Sequence, residues 1–147
     1  MEWVQGEYLI SDDPAKQDVP RVHAMLSVTY WANRRTPEVI ATSIRNSVPF
    51  GMYHNGRQVG FARLVTDRAT FAWLADVIID PEYRGRSLGK WLVECVLSHP
   101  AAAVSLQLLR TKDAHGLYEQ LGFARQECMT RRPNPADAWE TSSGEGR

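Results

Sequence analysis

Arg84, Arg86 and Lys90 place three cations within seven residues, with Gly85 and Gly89 between them. Glycines let backbone N–H groups approach an anion closely and the cations hold it there, so this spacing suits a phosphate. Asp76 is the only carboxylate inside the apolar run Phe71 to Ile79, and an acid in such a run needs a reason. It can relay an amine proton through water or bind a cation; equally, it can pair with a neighbouring arginine for structure alone. Tyr118 offers a phenol that stays protonated at neutral pH, or simply a core ring. His115, three residues before it, has an intrinsic pKa suited to proton transfer, although a helix histidine is often inert. Tyr30, Trp31, Arg34 and Arg35 bring aromatics beside adjacent arginines, a combination that suits a flat or anionic ligand or packs a helix end. Trp73 fits either a cleft or the core.

The run Phe71–Ile79 reads as a strand and passes through Asp80-Pro81 into the basic turn. Leu88, Trp91, Leu92, Cys95 and Val96 then recur at the spacing of one buried helix face. Strand, turn and helix together present the uncommitted N–H groups of a first helical turn to an anion. The turn is not a P-loop: Gly85 to Lys90 is one residue short of that motif and is followed by Trp91, which has no hydroxyl for magnesium. A Rossmann fingerprint is absent too. Further on, Ala114, Leu117, Tyr118 and Leu121 share a helical face, and Gly122 sits where a left-handed C-cap belongs.

The remaining elements follow from local signals. Tyr8-Leu9-Ile10 reads as a first strand. Asp18 caps a helix with Pro20 in its first turn, running to about Tyr30, and Thr36-Pro37-Glu38 opens a second, to about Asn46. Phe50–His54 and Gln58–Thr66 flank Asn55-Gly56, a strong hairpin signal. Val104–Leu109 and a stretch around Arg125–Arg131 complete the strands. The order implies an α/β protein with a mixed sheet and helices on both faces. One domain over 1–132 is expected, with 133–147 as a disordered tail rich in Pro, Asp, Ser and Gly.

Composition narrows the class. The chain has 147 residues, 44% apolar and 23% charged, with 17 basic residues against 17 acidic. That balance gives no pull toward nucleic acid or an anionic membrane. No apolar run reaches membrane-spanning length, MEWVQGEY is no signal peptide, and two cysteines make no metal spacing, so a cytoplasmic protein without a metal is expected.

Arg84-Gly85-Arg86-Ser87-Leu88-Gly89 resembles motif A, [QR]-x-x-G-x-[GA], of the GCN5-related N-acetyltransferases (GNAT), with Ser87 in place of the middle glycine. TKDAHGLYEQLGF, residues 111–123, is similar to that family's motif B; Ala114, Leu117, Tyr118, Glu119, Gly122 and Phe123 match, and Thr111 replaces the usual Asn. The two motifs occur in the family's order, and the likeness extends from about Tyr8 to Phe123, as in small single-domain bacterial-type members. The resemblance implies a mixed sheet of six to seven strands and acetyl-coenzyme A as acetyl donor. Its pyrophosphate would lie on Arg84–Lys90 and its pantetheine arm along Val77, Ile78 and Ile79, with Thr111, Ala114 and Tyr118 completing the cofactor contacts. It further implies Tyr118 as the acid that protonates the leaving thiolate, with Asp76 or His115 as candidates to handle the amine proton. Tyr30, Trp31, Arg34 and Trp73 become candidates for the acceptor cleft.

A small-molecule primary amine is the first expectation for the acceptor, and a protein or peptide amine the second. Monomer and homodimer remain equally open. A non-catalytic module that senses acyl-coenzyme A would use the same turn and strand, but would not need Tyr118. A simple phosphate-binding module explains motif A and leaves motif B unexplained.

Overall fold

The computed structural model describes residues 1–137. Its packing separates two compact units, Met1–Arg110 and a second beginning at Thr111.

The first unit is built on a six-stranded sheet whose strands lie side by side in chain order. They are β1 (Glu2–Gln5), β2 (Tyr8–Ser11), β3 (Val48–His54), β4 (Arg57–Thr66), β5 (Phe71–Ile79) and β6 (Leu106–Leu108). The first five pair antiparallel, and β6 joins β5 in parallel. Asn55 and Gly56 both take positive φ, as a two-residue hairpin between twisted strands requires. β1 goes beyond the sequence expectation. Its hairpin with β2 turns through Gly6 at φ 59, and only alternation over Trp3 and Val4 marks it.

Helices α1 (Val19–Leu26), α2 (Pro37–Arg45) and α3 (Leu88–Ser98) complete this unit. The side chains of Asp18 and Thr36 accept N–H bonds from Arg21 and Val39, so both helices start where the caps foretell. α1 ends at Leu26, four residues short of the expected Tyr30. The hydroxyls of Ser27 and Thr29 donate to the carbonyls of Ala24 and Leu26, drawing the chain into turns there.

Helices cover both faces of the sheet. Val22, Met25, Leu26, Ile40 and Ile44 of α1 and α2 cluster with Phe61 and Ile78, which lie opposite each other on β4 and β5. The next pair along, Gly60 and Ile79, faces α3, where Gly89 approaches Ile79. Cys95 on α3 is a buried thiol pushed up to about 11 by burial and by Glu94, in keeping with a core residue.

In the second unit, α4 (His115–Gln120) is the one α-helix among the described residues, followed by a 3-10 turn at Pro135–Asp137. The strand expected around Arg125–Arg131 does not form. Those residues are exposed throughout and carry no apolar alternation, so a strand there would bury nothing. Of the expected tail, 138–147 lie outside the described residues. The expected Val104–Leu109 strand shortens to Leu106–Leu108.

Candidate functional site

β5 carries an irregularity at its centre. Phe61 lies opposite Ile78 and Arg63 opposite Ala75, so Ala62 faces both Asp76 and Val77, a β-bulge. Asp76 takes φ 57, a left-handed conformation that Asp tolerates better than most residues. Its side chain is only 3% exposed, and one oxygen, Oδ2, accepts from Arg63 Nε at 2.7 Å and from Arg35 Nη1 at 2.6 Å. Burial opposes ionisation, but the two guanidiniums outweigh it and hold the carboxyl below its ordinary pKa. Two cations thus clamp the bulge.

Beyond Trp73, β6 no longer pairs with β5. One edge of Leu74–Ile79 is therefore left without a strand partner among the described residues, and such an edge can accept an extended ligand arm through main-chain bonds. Arg84 Nε donates to the Ile79 carbonyl at 3.1 Å, so the basic turn starts at the end of this edge.

The turn is fixed from below. Asp80 Oδ1 accepts from Glu82 N at 2.9 Å, and its other oxygen pairs with Arg21 of α1. Gly85 has φ 80 and Ser87 has φ 60, after which α3 begins. No side chain caps α3, which leaves N–H groups of its first turn for an outside acceptor. Arg84, Arg86 and Lys90 are exposed around it. Arg86 donates to the Tyr8 hydroxyl at 3.0 Å and lies over the Tyr83 ring at 5.2 Å.

Ser87 stands in a left-handed position that costs a residue with a Cβ about 1–2 kcal/mol. Ser87→Gly removes that strain but loosens the unfolded chain, which returns about 0.4–1 kcal/mol. The expected result is an apo melting temperature equal to or slightly above wild type. A clear drop would mean that the serine hydroxyl makes a native contact outweighing the strain.

In the second unit, Thr111 replaces the family's asparagine without loss of the local bond. Its Oγ1 accepts from Ala114 N at 3.0 Å, just before α4. Gly122 at φ 93 closes that helix: Gly122 N donates to Glu119 O and Phe123 N to Tyr118 O. This is the paired bonding of a Schellman cap, and the accompanying apolar contact is the Phe123 ring against Tyr118 at 5.9 Å. Tyr118 is only 9% exposed. His115 is the first residue of α4 and is partly exposed.

Of the acceptor candidates, Tyr30 and Trp31 meet edge to face at 4.9 Å, and Trp31 packs on the α1–α2 core. Its indole N–H is buried without a hydrogen-bond partner among the described residues. Trp73 pairs with Val65, which puts it on the sheet face that carries Arg63. Arg63 is absent from the sequence-derived site, and Arg35 entered it only as a neighbour of Arg34, not as a partner of Asp76. A signal existed: Arg63 is the lone charge inside the apolar run of β4, as Asp76 is in β5, and adjacent strands can bring two such residues together.

The Acetyltransferase (GNAT) domain model matches residues 45–125. A Gibberella zeae protein assigned as an acetyltransferase is 34% identical over 112 residues, which are 63% of each chain. Histone acetyltransferase TAP1 of Glycine max is 30% identical over 100 residues, spanning 60% of this chain but 43% of that one. The chain thus matches less than two thirds of the length of these curated relatives. A crystal structure from Xanthomonas campestris, described as an acetyltransferase of the GNAT family, superposes with a TM-score of 0.82 at 37% identity, covering 91% of this chain and 97% of that one.

Proposed function

The chain belongs to the GNAT acetyltransferase family, and on that premise we propose that residues 1–132 form an acetyl-coenzyme A-dependent N-acetyltransferase acting on the primary amine of a small molecule. The observation that carries this reading is the bulged β5 with its open edge, running straight into a left-handed turn and an uncapped helix ringed by three cations. That sequence of features fits a ligand with an extended amide-bearing arm at one end and a pyrophosphate at the other.

Acetyl-coenzyme A supplies the acetyl group as an activated thioester. Arg84, Arg86, Lys90 and the N–H groups of Leu88 and Gly89 would hold the pyrophosphate, and the edge of Val77, Ile78 and Ile79 would hold the arm. Gly85 and Ser87 shape the turn, and Thr111 and Ala114 shape the entry to α4. The acceptor nitrogen bonds to the acetyl carbon, the carbon–sulfur bond breaks, and the sulfur leaves as a thiol. No acyl-enzyme is needed. Tyr118 supplies the thiol's proton, since a phenol near pKa 10 is protonated at neutral pH yet acidic enough to donate to a thiolate.

Asp76 suits a different role from proton acceptor. A carboxylate held by two guanidiniums is a weaker base than a free one, so we assign it to hold the bulge that aims the Val77 N–H. The amine proton then goes to water or to His115. A protein amine is the competing acceptor, favoured by the likeness to the Glycine max histone acetyltransferase.

Millimolar acetyl-coenzyme A is expected to raise the melting temperature, because a ligand at 100 times its Kd stabilises the native state by about 2.7 kcal/mol. Dephospho and desulfo analogues should do so to different degrees. Equal melting temperatures with and without it would defeat the assignment.

A further inference from the structure

We propose that Arg35 and Arg63, gathered on Asp76, form an anion-recognition site for the acceptor, so that the amine acetylated by this protein also carries a carboxylate. The inference rests on the N-acetyltransferase reading and narrows its substrate class.

Charge carries the argument first. Two guanidiniums share one carboxylate, leaving one positive charge in excess at a place where the Arg35 side chain is 27% exposed and that of Arg63 is 15% exposed. Both bond the same oxygen, Arg35 through Nη1 and Arg63 through Nε. A guanidinium has five N–H donors in a planar fork, and most of them here have no protein acceptor among the described residues. A carboxylate matches that fork and brings one negative charge, which balances the excess.

Position is the second element. Asp76 immediately precedes Val77, the first of the strand residues assigned to the acetyl donor, so an anion held by these arginines lies beside the reacting group. Excess positive charge there also favours the neutral, nucleophilic form of the amine over its ammonium.

Acceptors of opposite character are disfavoured by the same charges. A polyamine or a lysine-rich peptide would bring cations to a site that already has one too many.

The test is thiol release from acetyl-coenzyme A with three sets of primary amines: the α-amino acids, their α-carboxamides, and linear diamines. Calorimetric binding of the same compounds runs in parallel. The expected result is a kcat/KM for the favoured amino acid about 10- to 100-fold above its carboxamide, the usual worth of a charge-assisted contact. Arg35→Gln should collapse that ratio toward one, through KM, while Arg35→Lys should keep part of it. A preference for diamines or carboxamides, or an equal loss on all three sets in Arg35→Gln, would overturn the inference and leave the acetyltransferase reading intact. Arg35-dependent binding of amino acids without turnover of any amine would do the reverse.

Discussion

Tyr118→Phe lowers kcat by about 10²- to 10⁴-fold, the contribution expected of a positioned general acid. The ring stays, so its contact with Phe123 and the cap that closes α4 stay with it. Affinity for acetyl-coenzyme A should hardly change, because the phenol acts on the leaving sulfur. Two further readouts separate chemistry from packing. The loss should shrink when the thiol leaving group is made more acidic, since a better leaving group needs less help. The alkaline limb of the pH–rate profile should also move or vanish. An unaltered kcat on a verified acceptor would reduce Tyr118 to a core ring.

Asp76→Ala destabilises the fold by about 3–5 kcal/mol, the cost of leaving buried charges without their partner. In a chain of this size that is a fall in melting temperature on the order of 10 °C. Alanine is also poorer than aspartate in the left-handed conformation, which adds to the loss. Asp76→Asn keeps the shape and the backbone tolerance, so it isolates the charge. Acid titration distinguishes the same interaction. The folded Asp76 pKa lies below its unfolded value. The stability it contributes is therefore complete above an unfolded pKa of about 3.9, and is lost as pH falls through the lower folded value. Wild type should lose stability in that acid window more steeply than Asp76→Asn, when both are followed by denaturant titration. Equal slopes and equal midpoints at neutral pH would mean that the clamp contributes nothing.

Local chemistry made much of the scaffold readable. Asp18, Thr36 and Asn55-Gly56 each specify a cap or turn through bonds made within a few residues, and the elements they begin are in place. Phe71–Ile79 was legible as a strand because its apolar run is bounded by turns on both sides. What escaped depends on contacts remote in sequence. β1 exists because β2 offers it an edge, and α1 stops early because hydroxyls at Ser27 and Thr29 compete for its last carbonyls. Arg125–Arg131 stays irregular because nothing covers it. The bulge is the most consequential of these. It requires comparing β4 with β5, since neither strand alone reveals that Ala62 faces two residues. For the same reason Asp76 could be singled out from the sequence while its partners, Arg35 at 41 residues' separation and Arg63 at 13, could not be recognised as such.

Amine-dependent thiol release from acetyl-coenzyme A, quantified beside the mass of the acceptor, tests the central claim most directly. One thiol should appear per acetyl amide formed, with only slow background hydrolysis when the amine is left out. Tight binding of acetyl-coenzyme A with no thiol release above that background, whatever amine is supplied, would contradict the enzyme and leave a module that binds the donor without using it.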